Sequence, residues 1–299
     1  MFASQTALRA TARAALLACT LALGAVAAQA QSNPYQKGPD PTPSLLENTG
    51  PFSVRTTSIS RLSASGFGGG TVYYPTASGT YGLIAVSPGF TGTQSTVSFW
   101  GERLASHGFV VVVIDTITLY DQPSSRADQL MAALDHVVRM SNSRLSALYG
   151  KVDPNRRAVM GHSMGGGGSL IAARENPSLK AAIPMAPWNT SSLFQSVRVP
   201  TMIFGCESDS IAPVREHAEP FYQAIPSTTP KAYLEVNNDD HFCVMNGGGH
   251  YALLGRYGVA WMKRFVDNDT RYSPYLCGAP HQDKIRSTEV EEYRQNCPY

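Results

Sequence analysis

The sequence predicts an α/β fold, a largely parallel central sheet with helices on both faces. Three observations lead there. From Gly82 onward, short apolar runs bounded by turn residues alternate with longer amphipathic segments. The run Val110 to Ile114 is apolar at every position, as a strand covered on both sides must be. No internal repeat or polar linker divides the pattern, so residues 31–299 read as a single domain.

The elements follow in chain order. Arg9 and Arg13 precede an apolar run from Ala14 to Ala28, and Ala28-Gln29-Ala30 is a small-x-small sequence of the kind a signal peptidase cuts. At about 15 residues the run falls short of the roughly 20 that span a bilayer. Residues 1–30 therefore read as a signal peptide, and the mature protein as secreted, extracellular or periplasmic in transit, without stable membrane insertion. Residues 31–50 are rich in Pro, Gly and Asn and are expected to be extended. Strands are expected at Thr71 to Tyr74, Gly82 to Ser87, Val110 to Ile114, Arg157 to Met160, Ala181 to Met185, Pro200 to Phe204 and Lys231 to Val236. Helical periodicity appears at Thr96 to Ser106, at Arg126 to Met140 with Leu130, Leu134, Val137 and Val138 on one face, and at Tyr251 to Val266 with Leu254, Tyr257, Trp261 and Phe265 on one face. A further helix is expected to begin near Pro213 and to include His217.

Composition narrows the function. The chain is 43% hydrophobic and 15% charged, with 24 basic against 22 acidic residues, which excludes a disordered or polyelectrolyte protein. No window clusters Lys and Arg as a duplex-binding face would, so nucleic acid is not an expected partner. Cys206, Cys243, Cys277 and Cys297 remain after cleavage, an even number in an oxidising compartment, and predict two disulfides. No CxxC or paired-His spacing suggests a metal.

The strongest chemical signal is Gly161-His162-Ser163-Met164-Gly165, a G-x-S-x-G between an expected strand and an Ala- and Leu-containing helix. That context suits a nucleophile: the glycines let the chain bend sharply, and Ser163 projects its hydroxyl clear of the sheet. Gly166, Gly167 and Gly168 lack the following Gly-Lys-Ser/Thr of a phosphate loop. A serine needs a base, and the base needs an acid to hold its tautomer, in the chain order Ser, Asp or Glu, His. Asp209 sits just beyond the Pro200 to Phe204 strand, with Glu207 as its neighbouring alternative. Among His217, His241, His250 and His281, only His241 lies in a loop directly after the next strand. Asp115, at the end of the Val110 strand, reads as a turn or cap residue.

An Asp–His hydrogen bond would bring the Cys206 and Cys243 loops together, so Cys206–Cys243 with Cys277–Cys297 is the simplest pairing. The oxyanion formed on acyl attack needs two donors, the Met164 N–H and the Phe90 N–H of Pro88-Gly89-Phe90-Thr91-Gly92. Phe90 would also offer its ring to the acyl group. Trp188 follows the Ala181 to Met185 strand and reads either as a stacking platform or as a packed core aromatic.

Taken jointly, Ser87-Pro88-Gly89-Phe90-Thr91-Gly92, Gly161 to Gly168, Ala186-Pro187-Trp188, Asp209-Ser210-Ile211-Ala212-Pro213-Val214 and Gly258 to Phe265 resemble the secreted bacterial cutinases and PET-hydrolase-like polyesterases. The similarity covers the chain from about Asn33 onward. It implies an α/β-hydrolase with no lid domain that cleaves polymer or small-molecule esters. The likeness assigns Ser163, Asp209 and His241 to the triad, Phe90 and Met164 to the oxyanion hole, Trp188 to an aromatic clamp and Ile211 to the cleft wall. His162 and Phe242 match substrate-binding positions where the most PET-active branch carries Trp and Ser. His217 and Phe221 match positions that are smaller there, a difference associated with a freely swinging clamp Trp. An ordinary cutinase cleft is the expectation.

The expected reaction is acyl transfer to water with no cofactor, by a monomer. Another serine hydrolase of this fold, such as a lipase, and a catalytically dead polymer-binding homologue are the alternatives.

Overall fold

The computed structural model describes residues 33–299, so the expected signal peptide lies outside the described residues. The first half runs α1 (Pro43–Glu47), β1 (Val54–Ile59), β2 (Gly70–Pro75), β3 (Tyr81–Ser87), α2 (Phe99–Ser106), β4 (Phe109–Ile114), α3 (Pro123–Asn142) and β5 (Val152–His162). The second runs α4 (Met164–Glu175), β6 (Ala181–Met185), β7 (Thr201–Cys206), α5 (Ala218–Ala224), β8 (Lys231–Val236), α6 (Tyr251–Phe265), α7 (Pro274–Cys277), α8 (Ala279–Lys284) and β9 (Val290–Gln295).

The strands form one nine-stranded sheet in the order β1-β2-β4-β3-β5-β6-β7-β8-β9. From β4 through β8 every neighbouring pair is parallel, while β1–β2, β2–β4 and β8–β9 are antiparallel. The fold is that of an α/β-hydrolase. Its parallel strands read as unbroken apolar runs because both faces are covered. Ile84, Val86, Val111 and Val113 point into a core with Trp100, Tyr257 and Trp261 of α2 and α6. Leu83, Ala85, Val110, Val112 and Ile114 point the other way, onto Leu130, Leu134 and Val137 of α3 and Leu170 of α4. Burying each such aliphatic side chain stabilises the fold by about 1.5–3 kcal/mol.

All seven expected strands are present, but β1 and β9 were not expected. Both are edge strands, half-exposed, and Val290–Gln295 reads VEEYRQ, without an apolar run to mark it. The segment 31–50 is not extended throughout: Pro43 opens α1, Thr42 caps it by accepting from the Leu45 N–H at 3.1 Å, and Leu46 is fully buried. The helix expected near Pro213 starts later, at Ala218. The Glu216 and His217 amides both donate to the Pro213 carbonyl in a preceding turn, which leaves His217 at the N-cap rather than inside the helix.

The strand order places the site. From β3 the chain crosses through α2 to β4 on one side, then returns through α3 to β5 on the other. In such a sheet a crevice opens beyond the carboxyl ends of the strands where the winding reverses. Here that point lies between β3, which leads into Pro88–Gly92, and β5, which leads into Ser163. The 186–200 connection holds no helix or strand that could cover it.

Candidate active site

Strand β5 ends at His162 and α4 begins at Met164, so Ser163 alone makes the turn, with φ 54° and ψ −118°. Few L-residues hold such angles, and strain of this kind costs about 1–3 kcal/mol. Surrounding bonds keep it in place. The Ser163 N–H donates to Met185 at 3.0 Å, and its carbonyl accepts from Gly167 and Trp188, both at 2.9 Å. The motif glycines are required by close approach. A Cβ on Gly161 would lie 2.2 Å from the Gly165 carbonyl oxygen, and one on Gly165 would lie 2.5 Å from those of Ser87 and Pro88.

The loop after β3 packs directly on the elbow: a Cβ on Gly89 would sit 3.0 Å from the Ser163 Cβ and 2.9 Å from His162 Nδ1. Among the described residues the Phe90 and Met164 N–H groups have no hydrogen-bond partner, although their neighbours Thr91 and Gly92 do. Met164 stands at the N-terminus of α4, where the helix dipole favours negative charge.

Asp209 and His241 meet beyond β7 and β8. Asp209 Oδ2 accepts from His241 Nδ1 at 2.6 Å, and Oδ1 accepts from the Ile211 and Ala212 amides at 2.9 and 2.7 Å. Burial works to raise the Asp209 carboxyl, but the His241 bond and these two amides outweigh it and hold the group below the ordinary carboxylate range. The alternative acid, Glu207, points elsewhere and accepts from the Asn238 N–H at 2.8 Å. The Cys206–Cys243 disulfide joins the two loops and Cys277–Cys297 ties down the tail, in the pairing expected.

Among the described residues His241 Nε2 has no hydrogen-bond partner, nor has the Ser163 hydroxyl, and the two are not bonded to each other. His162 links the two residues. Its ring lies 4.7 Å from that of His241, with Nε2 donating to the His241 carbonyl at 3.0 Å, one residue before Ser163. His162 is therefore buried, with little surface left to meet a ligand. Of the other histidines, His217 packs its ring 6.0 Å from Trp188, His250 faces Asp239 at 3.5 Å, and buried His281 bonds the Tyr257 hydroxyl at 2.9 Å.

Around this centre stands an apolar rim. Phe90, Ile211 and Phe242 are each about half exposed, and Trp188 is half-buried. Two features escaped the sequence reading. Tyr120, in the loop after β4, is 65% exposed and stacks obliquely on Phe90 at 5.6 Å between ring centres. Applying the strand-end rule to β4 as well as to its neighbours would have found it. Arg126 is fully buried behind the Phe90 loop. Its signal was a charged residue one turn before Leu130 and two before Leu134, on the core face of the helix. Asp115 proves to be a brace, accepting from the Gln94 N–H at 2.8 Å and its side-chain amide at 2.7 Å.

Outside the site, Glu219, Glu235 and Glu292 converge within 4.8 Å in a cavity of about 850 Å³. Arg294 bridges Glu219 and Glu292, and Glu235 accepts from the Tyr233 hydroxyl, while burial and the neighbouring carboxylates push the Glu235 carboxyl up.

Residues 29–298 match the family model described as PET hydrolase-like. A cutinase of Thermobifida fusca (strain YX) is 52% identical over 98% of this chain and 95% of its own length. Cutinase 1 of Thermobifida cellulosilytica is 54% identical over 90% of this chain and its own full length. A bis(hydroxyethyl) terephthalate hydrolase of Streptomyces coelicolor is 49% identical over 95% of this chain and 90% of its own length. With an elbow serine, an Asp–His pair and a glycine-backed donor loop at one crevice, and relatives of this similarity along nearly its whole length, the chain belongs to the PET hydrolase-like family of carboxylic ester hydrolases.

Proposed function

We propose that the protein is a secreted serine esterase that hydrolyses polyesters and short-chain acyl esters through an acyl-enzyme intermediate. Ser163 is the nucleophile, His241 the general base and Asp209 the residue that holds the imidazole. The observation that carries this reading is the 2.6 Å Asp209–His241 bond, which leaves Nε2 unpartnered on a ring packed against His162, the residue before a serine held at φ 54°.

The mechanism follows from that arrangement. Asp209 accepts the Nδ1 hydrogen, so neutral His241 has its free lone pair on Nε2. As Ser163 Oγ attacks the ester carbonyl carbon, its proton passes to Nε2. The carbonyl oxygen becomes an oxyanion that accepts from the Phe90 and Met164 N–H groups. The tetrahedral species collapses, the C–O bond to the alcohol breaks, and His241 returns the proton to the leaving oxygen. Water then attacks the acyl-enzyme with His241 again as base, releasing the acid and restoring Ser163. No cofactor takes part in these steps.

Phe90, Trp188, Ile211 and Phe242 would receive the apolar parts of the ester, and a crevice left uncovered by the 186–200 connection suits a solid polymer. Residues 1–30 would be removed on export, leaving residues 31–299 as one monomeric domain. Among the described residues no helix is long and apolar enough to cross a membrane.

The test is fluorophosphonate labelling of wild type and Ser163→Ala, beside hydrolysis of p-nitrophenyl butyrate, a long-chain ester, polycaprolactone, cutin and amorphous PET. Labelling and turnover lost together in Ser163→Ala support the proposal. An unlabelled, inactive wild type would make the chain a polymer-binding homologue, and a preference for long acyl chains would make it a lipase.

A further inference from the structure

The Phe90 N–H is one of two groups on which the proposed oxyanion depends, yet it sits next to a glycine. Gly89 has no side chain to restrict its torsions, and the lack of one is what lets the loop approach Ser163. The direction of the Gly89–Phe90 peptide is set partly within the loop, where the Gly89 carbonyl accepts from the Gly92 N–H at 3.1 Å, and partly by what holds its flanks. Both flanks of that peptide are held. Before it, the Pro88 carbonyl accepts from Arg126 Nη1 at 2.9 Å. After it, the Thr91 N–H donates to the Leu119 carbonyl at 2.8 Å, with Thr91 at φ 59°. Leu119 is itself held by Arg126 Nη2 at 3.3 Å, and Arg126 Nε donates to the Asp121 carbonyl at 2.7 Å.

One guanidinium thus spans the loop after β3 and the loop after β4. It is fully buried, and its three hydrogen bonds go to main-chain carbonyls, none to a carboxylate. Burying a cation is costly, the nearby Asp121 carboxylate offsets that cost only in part, and an aliphatic side chain would fill the same space without it. What an aliphatic residue lacks is the rigid fork that fixes several acceptors at once. The stem of Arg126 is fixed in turn, since a Cβ on Gly168 of α4 would lie 2.9 Å from the Arg126 Cβ. The helix that begins at the elbow and the loop that supplies the second donor share this one anchor.

We propose that Arg126 is a positioning residue for the oxyanion hole, holding Pro88 and Leu119 so that the Phe90 N–H is aimed at the space beside Ser163. The inference rests on the esterase reading above. Arg126 touches no substrate. Its effect falls on the step in which negative charge develops, so its loss lowers kcat while leaving ground-state binding nearly unchanged.

The experiment compares wild type, Ser163→Ala, Arg126→Met and Arg126→Lys for kcat and KM on p-nitrophenyl butyrate, melting temperature, and inhibition by an alkyl trifluoromethyl ketone, which forms a tetrahedral adduct with an active serine. Misplacing one oxyanion donor is expected to lower kcat of Arg126→Met about 10- to 100-fold, with KM within about threefold and ketone inhibition weakened in parallel with kcat. Arg126→Lys, which can reach one carbonyl but not three, is expected to lose about 3- to 10-fold in kcat. Arg126→Met folded and with unchanged kcat overturns the proposal, as does a loss confined to KM with ketone inhibition intact; in either case the esterase reading stands. Should Arg126→Met fail to fold, Arg126→Lys decides, and wild-type values of kcat and ketone inhibition overturn the proposal. A wild type without Ser163-dependent turnover overturns the esterase reading, and this inference with it.

Discussion

The His162 imidazole packs 4.7 Å from that of His241 and donates Nε2–H to the His241 carbonyl at 3.0 Å. A carbonyl only accepts, so the hydrogen of neutral His162 is on Nε2. Burial first, and the neighbouring His241 second, push His162 down to about 3, and burial first pushes His107 and His281 down to about 4. These three enter the fold uncharged, whereas in the unfolded chain they protonate near the ordinary value of about 6.5. Between those pH values the unfolded state binds more protons, so stability falls as pH drops. From pH 7 to 5 each should cost about 1–2 kcal/mol. Urea unfolding midpoints should decline across pH 7, 6 and 5, and His107→Gln should decline less steeply. A midpoint that does not move with pH would contradict the buried neutral assignment.

Backbone strain at the elbow makes a second prediction. Glycine tolerates φ 54°, ψ −118°, and alanine does not. Ser163→Gly should therefore melt at or above Ser163→Ala, by about 1 kcal/mol, reversing the usual ranking of these residues. Both should lose about 10⁴-fold or more in ester hydrolysis. Calorimetry on the two inactive variants tests the strain without reference to activity.

The Cys206–Cys243 bridge spans a sequence separation of 37 between the loops that carry Asp209 and His241, and both cysteines are fully buried. Replacing the pair by alanine should destabilise the protein by about 3–4 kcal/mol through the freed chain entropy. At 25 °C the folded variant should keep most of its kcat, because the 2.6 Å Asp209–His241 bond remains. Above the shifted melting temperature, activity should vanish with the fold. Thermal scans paired with initial rates at several temperatures check both halves.

Tyr120 stacks on Phe90 at 5.6 Å and is 65% exposed, so its ring extends the apolar rim toward solvent. An aromatic contact is worth about 0.5–1.5 kcal/mol beyond its buried area. Tyr120→Ala should thus raise KM for an aromatic diester such as bis(hydroxyethyl) terephthalate about two- to tenfold and leave an aliphatic ester such as tributyrin nearly unchanged. Equal effects on both substrates would assign Tyr120 a purely structural role.

The parallel core was legible because its strands are buried on both faces: Val110 to Ile114 could be nothing but an interior strand. The elbow was legible because close packing admits only glycine at Gly161 and Gly165. The edges were not, since Val290–Gln295 carries charged Glu291, Glu292 and Arg294, has no buried position, and is held by its pairing with β8 and the Cys277–Cys297 tether. His217 was misplaced by one turn because Pro213 is as well suited to open a turn as a helix. Asp209 and Glu207 could not be separated by spacing alone. The distinction rests on which carboxylate the Ile211 and Ala212 amides turn toward, a matter of loop conformation. Arg126 acts through three carbonyls, and main-chain acceptors leave no trace in side-chain identity.

The two ends of the sheet have a bearing on how many molecules can crowd onto one surface. Strands β1 and β9 carry unpaired main-chain groups along their outer sides, and an open edge of that kind invites a second sheet to add to it. Here the β1 edge bears exposed Arg55, and the β9 edge bears exposed Glu291 beside partly exposed Glu292 and Arg294. Neighbours adsorbed side by side would have to strip water from these charges before their backbones could join. Dense layers should therefore stay as separate, releasable particles instead of fusing into insoluble β-aggregates.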